Sequence, residues 1–308
     1  MDNKIKILLI GSDGYIGSAL QIDLKKKFDL TCVDNDLHRE GNNINTLVND
    51  FNLLDEDFIQ SFDVVILLAG HSSVKMCEGD ICCSYKNNVR NFIDLSHKLN
   101  KKTKFIYASS SSVYGKCSTT ADENCRDFIP YNNYDVTKHF IDLYISRTDI
   151  EYYGLRFGTV NGYSPNLRND IMINAMFTNG INNGNIDLYI KNIMRPILGI
   201  NDLIRAINKI LESKEDKRGI YNLASFNKSA EEIANTVGLL INKPVIEKEV
   251  STITNSKLQT IFYDFQINSN KFEETFDFKF MDSIESIVNS LKIDTFKTTN
   301  RSKFVFYE

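Results

Sequence analysis

Lys4-Ile5-Lys6-Ile7-Leu8-Leu9-Ile10 is an apolar run that breaks directly into Gly11-Ser12-Asp13-Gly14-Tyr15-Ile16-Gly17. A continuous apolar run ahead of a glycine-punctuated turn reads as a strand buried on both faces, and residues 16–28 beyond it carry a helical pattern. Strand, turn and helix in that order open a β-α-β unit. The same rhythm extends outward. Residues 30–33, 64–69, 105–108 and 152–157 read as further buried strands, with helices over 81–99 and 134–146. Continuous strands separated by amphipathic helices predict an α/β fold, a doubly wound parallel sheet covered on both faces.

After about residue 160 the rhythm loosens into a stretch, 161–185, rich in Asn and Gly. Strands then read at 190–198, 220–223 and near 260–263, and helices at 202–212, 230–240, near 268–275 and at 283–291. The expected division is a dinucleotide-binding domain over 1–160, to which parts of 195–228 return. A smaller interleaved substrate lobe covers 161–294, and 295–308 is a tail. No internal repeat is visible.

Bulk composition excludes several classes. With 308 residues, 42% apolar and 25% charged, the chain can bury a full core and is not disordered in composition. A net charge of -4 leaves no nucleic-acid footprint. No apolar stretch reaches the roughly 18 residues that span a bilayer, and the first strand meets its turn too early for a signal peptide. No membrane association and a cytoplasmic location are therefore expected. The six cysteines lack C-x-x-C spacing and nearby histidines, which argues against a metal site or a disulfide framework.

The glycines at 11, 14 and 17 suit a tight turn, close approach of a pyrophosphate and close packing of helix on strand. A β-α turn with no ligand has the same glycines. Asp34 weighs against that plainer reading. It ends the second strand about 20 residues beyond the turn, where a carboxylate accepts both ribose hydroxyls of NAD and repels the 2′-phosphate of NADP. Neighbouring Arg39 can stack on adenine or hold a 2′-phosphate.

Tyr134-Asp135-Val136-Thr137-Lys138 spells Y-x-x-x-K on a helical stretch, which puts phenol and ammonium on one face. A tyrosine with an ordinary pKa near 10 is a poor base at neutral pH. The ammonium of Lys138, with a positive nicotinamide ring, favours phenolate and lowers that pKa toward the working range. The strand at 105–108 delivers Ser109-Ser110-Ser111-Ser112 to the carboxyl edge of the sheet, where ligands bind in such folds.

Taken in order, the glycine turn, Asp34, Asp50-Phe51, Leu68-Ala69-Gly70, Ser109 to Gly115 and Tyr134-x-x-x-Lys138 resemble the extended short-chain dehydrogenase/reductases. These are nucleotide-sugar epimerases and dehydratases with a Rossmann-type fold. Gly219-Ile220-Tyr221-Asn222-Leu223 and Ile267-Asn268-Ser269-Asn270-Lys271 resemble the family's later signposts, so the likeness covers nearly the whole chain. It implies NAD held by Gly11, Gly14, Tyr15, Ile16 and Gly17, by Asp34 and Asn35, and by Asp50 at the adenine amino group with Phe51. Leu68, Ala69, Gly70 and Phe157 would line the cofactor, and Asn88 would support the site. Asp50 as a turn cap and Asn88 as a solvated helix residue are the plainer alternatives.

By the same resemblance the catalytic residues are Tyr134, Lys138 and Ser110, the hydroxyl four residues before the tyrosine of V-Y-G. Family dehydratases resemble T-D-E-V-Y-G here and decarboxylases T-S-E-V-Y-G, whereas this chain has Ser111 and Ser112 in place of the carboxylates. Acid-base elimination then lacks its groups. The serine-rich form looks most like 4-epimerases. Arg195 resembles the arginine that contacts the diphosphate of a nucleotide sugar, with a surface ion pair to Asp202 as the alternative. Ser110, Ser111, Arg168 and Asn174 fall in the substrate region, and His71 either lines the pocket or is a satisfied loop histidine. A second nucleotide-contacting arginine is not apparent between 252 and 264.

The reading preferred here is an NAD-dependent nucleotide-sugar 4-epimerase that works through a transient 4-keto sugar. A 4-keto-sugar reductase, a divergent dehydratase or decarboxylase, and an NAD-sensing protein without turnover are the alternatives. A homodimer is expected, since family members often pair through the helices predicted at 81–99 and 134–146.

Overall fold

The computed structural model describes residues 4–35, 46–115, 120–126, 129–249 and 263–292. In chain order the strands are β1 (Lys6–Ile10), β2 (Asp29–Asp34), β3 (Thr46–Val48), β4 (Val64–Leu67), β5 (Lys104–Ser110), β6 (Thr120–Ala121) and β7 (Tyr152–Phe157). They continue as β8 (Thr159–Asn161), β9 (Ile186–Leu188), β10 (Met194–Gly199), β11 (Gly219–Leu223), β12 (Phe226–Ser229), β13 (Val245–Glu247) and β14 (Gln266–Ile267). The helices that position the site are α1 (Tyr15–Leu24), α2 (Glu56–Gln60), α3 (Val74–Gly79), α4 (Ile81–Tyr85), α5 (Asn91–Lys98), α6 (Asn133–Ile145), α7 (Met172–Asn183), α8 (Ile200–Glu212) and α9 (Ala230–Ile241).

Seven strands pair in parallel in the order β11-β7-β5-β4-β1-β2-β3. The expected doubly wound sheet is present. The order reverses at β1, which pairs with β2 on one side and β4 on the other, so a crevice opens beside its carboxyl end. The apolar run explains why β1 is central. Ile7 and Leu9 pack on the face covered by α1 and α8, while Leu8 and Ile10 pack on the face covered by α5 and α6. All four are buried, and each contributes about 2 kcal/mol by that burial.

The chain weaves between two lobes. β10 joins the three-stranded sheet β12-β10-β8, whereas β11 returns to the edge of the large sheet beside β7. The second lobe's core gathers Ile173 and Phe177 of α7, Ile233 and Val237 of α9, and Ile287 and Val288 of the helix Ile284–Lys292.

Two elements differ from the sequence reading. Residues 81–99 form α4, a π-helical turn at Lys86–Arg90, and α5, not one helix. The extra residue of a π turn lets buried Asn88 bond to neighbouring loops. The stretch 161–185 holds α7, although Asn and Gly dilute its apolar stripe. Asn161 Oδ1 accepts from the Ile173 and Asn174 amides at 2.9 and 3.3 Å and fixes the helix start, while Gly184 in a left-handed conformation ends it. The strand expected near 260–263 lies outside the described residues but for Tyr263, and β14 follows it and pairs with β6. Thr260 to Phe262, Arg39, Cys117 and the expected tail from 295 fall outside the described residues.

Beneath the carboxyl ends of β5 and β7 lies a buried polar cluster. Asp142 of α6 accepts from Tyr107 Oη at 2.9 Å, Ser109 Oγ at 3.0 Å and Arg156 Nε at 2.8 Å. Both charged partners are almost wholly buried. Replacing Asp142 by Ala leaves the guanidinium uncompensated in the interior, and a loss of about 3–5 kcal/mol is expected. Urea unfolding of Asp142→Ala checks this, and an unchanged midpoint would show that the pair carries no stability.

Candidate active site

Because the large sheet is parallel, the loops after β1, β4, β5 and β7 all emerge at one edge. At the first, Gly11 has φ +86, and a Cβ there would lie 2.5 Å from Ala69 N, so the β1 and β4 loops touch only because Gly11 has no side chain. A Cβ on Gly17 would lie 2.1 Å from Gly11 O, which seats α1 on the turn. Gly14 is different. Its nearest neighbour would be Gly11 O at 3.4 Å, an ordinary contact, and it caps α1 without a side-chain bond. Among the described residues no protein group requires a glycine at 14, and the space beside it fits close approach of a pyrophosphate to the helix N-terminus.

Asp34, at the end of β2, accepts from Asp13 N at 2.9 Å and Asn35 N at 2.8 Å, which holds its carboxylate against the glycine turn. Asp50 does cap a turn: Oδ1 accepts from Asn52 N at 3.1 Å, with Phe51 buried behind it. Leu68, Ala69 and Gly70 are half-buried beyond β4, and Ile16 packs against the core beside the turn. Asn88 is buried, not solvated. Its Oδ1 accepts from His71 N at 2.8 Å, and Nδ2 donates to His71 O and to Thr137 Oγ1 at 3.2 Å, so it ties the β4 loop to α6. The His71 ring meets Asn87 Nδ2 at 3.4 Å and is half-buried.

Ser110 ends β5 in register with Phe157 of β7, which places both at the same edge. Asn132 caps α6 and starts the helix just before Tyr134. Ser110 lies near enough to the Tyr134 phenol to pull its pKa down, and Lys138 Nζ lies 5.9 Å from the Tyr134 ring centre. The three predicted catalytic side chains are thus brought together. Their electrostatics differ from expectation, however. Burial pushes the Tyr134 phenol up to about 12, with the Ser110 hydrogen bond pulling weakly the other way. Burial also lowers the Lys138 amine to about 8, and its Nζ donates to Ala108 O at 2.8 Å. Within the chain alone, desolvation therefore outweighs the lowering of the phenol expected from Lys138.

On the substrate side, Arg168 makes a two-point pair with Asp170, at 3.0 and 2.7 Å, and its charge acts on Tyr134. Asn174 faces inward. It is buried, Oδ1 accepts from Gly162 N, and Nδ2 donates to Arg168 O and Tyr15 Oη, so it shapes the loop that carries Arg168. Tyr15 is likewise turned toward that loop, with Oη donating to Gly162 O at 2.7 Å. Ser111 is buried in the turn after β5. Arg195 does not pair with Asp202, which Arg205 holds; its guanidinium lies 5.9 Å from the Tyr263 ring centre, and burial lowers it to about 10.

A model of the NAD dependent epimerase/dehydratase family matches residues 7–224. The chain belongs to that family. ADP-L-glycero-D-manno-heptose-6-epimerase of Brachyspira hyodysenteriae is 27% identical over 267 residues, 78% of this chain and 83% of that protein. The fold is similar to UDP-glucuronic acid 4-epimerase from Bacillus cereus, solved with UDP-glucuronic acid and NAD, at a TM-score of 0.76 and 22% identity, over 93% of this chain and 97% of that one. ADP-L-glycero-D-manno-heptose-6-epimerase of Helicobacter pylori gives a TM-score of 0.76 and 21% identity over 95% and 97%. Members of this family are NAD-dependent enzymes, and among the described residues no helix is long and apolar enough to cross a membrane.

The sequence reading overlooked Asp135 and Tyr263. Asp135 stands inside the Y-x-x-x-K motif at a position read as a spacer, and its burial in a first turn whose Asn133 and Tyr134 are half-buried and Val136 exposed has no signal in the sequence. The glycines separate fold from binding. Gly14→Val is expected to keep the thermal midpoint and weaken NAD at least tenfold in calorimetric titration, whereas Gly17→Ala lowers the midpoint itself.

Proposed function

We propose that this chain is an NAD-dependent nucleotide-sugar 4-epimerase. The observation that carries the reading is the meeting of Ser110, Tyr134 and Lys138 at the sheet edge with hydroxyls at 111 and 112, where a dehydratase-like loop would carry carboxylates. Bound NAD supplies the hydride acceptor and donor. Tyr134 removes the proton from the C4 hydroxyl as the carbon is oxidised, and Ser110 orients that oxygen. The 4-keto sugar turns over, the cofactor would return hydride to the opposite face of C4, and Tyr134 gives the proton back to the C4 oxygen. Lys138 holds the nicotinamide ribose. Gly14, Asp34 and Asp50 contact the remainder of NAD, Arg195 the diphosphate by a planar two-point contact, and Arg168 the sugar. The same trio serves oxidation at another carbon, and the Brachyspira relative, a heptose 6-epimerase, supports a second reading at C6.

Tyr134→Phe is expected to lose turnover by several orders of magnitude while keeping NAD binding. Product NMR on a panel of UDP-, ADP-, GDP- and dTDP-sugars checks both the carbon and the base. Activity without added cofactor, with NAD seen in the absorbance of the purified protein, supports epimerisation; a requirement for stoichiometric reductant would instead make the chain a ketoreductase.

We also propose a homodimer through α4, α5 and α6. Val136, Phe140 and Leu143 leave an apolar stripe 38%, 46% and 53% exposed along α6, at the i, i+4, i+7 spacing of one helix face. Ile81 is exposed on neighbouring α4, and a groove lined by Tyr85, Val89 and Ile93 runs beside it. Sedimentation is expected to give a dimer for the native chain and a monomer for Leu143→Glu; a native monomer would count against the bundle.

A further inference from the structure

The chain leaves β7 at Phe157, in register with Ser110 of β5, and by Gly162 it has reached α1. β5 and β4 stand between β7 and β1 in the sheet, a span of about 14 Å at three strand spacings. The segment therefore passes the carboxyl ends of both strands on its way. At α1 it is held closely. Asn166 Nδ2 donates to Asp13 O, Ser164 Oγ donates to Tyr15 O at 2.6 Å, and Tyr15 Oη donates to Gly162 O at 2.7 Å. Ser18 Oγ accepts from Asn166 N at 3.2 Å and lies 2.7 Å from Ser164 Oγ. Ser164 has one proton, given to Tyr15 O, so Ser18 is the donor between the two serines. The bend is fixed as well: Gly162 has φ +122, and a Cβ there would lie 2.9 Å from Ile200 Cγ2.

None of these bonds is needed to form α1, whose first-turn carbonyls accept from amides one turn on. What a helix leaves unpaired at that end is its first N–H groups, and these are what a pyrophosphate takes up. We propose that residues 158–168 are a strap that retains NAD, and that Ser164 and Asn166 are the positioning residues that keep it closed. The inference rests on NAD lying along the glycine turn with its nicotinamide at Tyr134. A dinucleotide so placed runs beside the strap from its α1 end toward α6, and the charge of Arg168, at the strap's far end, is felt at Tyr134. Release then requires the strap to part from α1, which breaks the bonds of Ser164 and Asn166 together. Because both residues share Ser18, cutting one bond weakens the others. Retention has a chemical meaning. An enzyme that returns hydride to its own substrate keeps its cofactor, whereas a reductase lets it go after each turnover.

The test is the rate at which the NAD-loaded full chain exchanges its cofactor for radiolabelled NAD. The native chain is expected to exchange over hours. Ser164→Ala and Asn166→Ala are each expected to exchange about tenfold faster, since the loss of one or two hydrogen bonds acts mainly on the off-rate. A residue that only braces the fold lowers the thermal midpoint of the NAD-free chain and leaves exchange at the native rate. That result in either folded variant overturns the proposal, and so does native exchange complete within seconds. Ser164 is 1% exposed, so if Ser164→Ala does not fold, Asn166→Ala at its half-buried position decides alone. Exchange needs no turnover. Product NMR that places the reaction at another carbon sinks the 4-epimerase reading and leaves this result standing, whereas fast exchange removes the strap and leaves the role of Tyr134 untouched.

Discussion

The carboxylate of Asp142 is buried where α6 crosses β5 and β7, and it receives Tyr107, Ser109 and Arg156. Taking two charges out of water costs several kcal/mol per ion, so the pair persists only because its oxygens are saturated by donors. The guanidinium reaches further. Arg156 Nη1 donates to Tyr114 Oη at 2.8 Å, and that hydroxyl donates to Asn222 of β11 at 2.9 Å. Ser110 lies between Ser109 and Tyr114, both held by this network, while Tyr134 and Lys138 ride on the helix that supplies Asp142. One buried anion thus registers Ser110 at the end of β5 against Tyr134 and Lys138 of α6.

The second constraint is the seam between lobes. Ser18 Oγ meets Ser164 Oγ at 2.7 Å, and Ser164 Oγ donates to Tyr15 O at 2.6 Å. With Asn174 and Tyr15, these bonds pin the loop that carries Arg168 onto the first turn of α1, the same turn that offers Gly14. The glycine turn and the loop that carries Arg168 are therefore one hydrogen-bonded unit. Residues that look like ligand contacts in sequence, Tyr15 and Asn174 above all, are joints of that unit.

What was legible in the sequence was whatever repeats locally. The continuous apolar run Ile7 to Ile10 and the glycine spacing announce the large sheet and its switch point, because both faces of β1 must be apolar and the turn must be tight. Helix α7 was not legible, since its start is held by Asn161 rather than by its own pattern. Nor was the π turn, which exists to bring Asn88 between His71 and Thr137, contacts far apart in the chain. Ser110, Tyr134 and Lys138 were singled out because the motif names them. Asp135 lay between two of them and was invisible, because burial and the approach of Tyr263 from the other lobe are tertiary facts.

The electrostatics of the trio follow from the same burial. Lowering the Lys138 amine from 10.5 to about 8 corresponds to about 3 kcal/mol against its charged form, and the Tyr134 phenol is likewise biased toward neutrality. Lys138 cannot reverse this at the tyrosine oxygen, because its ammonium lies over the ring and donates to Ala108 O. Positive charge that favours phenolate must arrive from the open side of the site. Arg168 already lowers the Tyr134 pKa, while Asp170 holds and partly neutralises it. Any displacement of Arg168 from Asp170 therefore changes the field at the Tyr134 phenol, which couples the loop before α7 to the ionisation of α6.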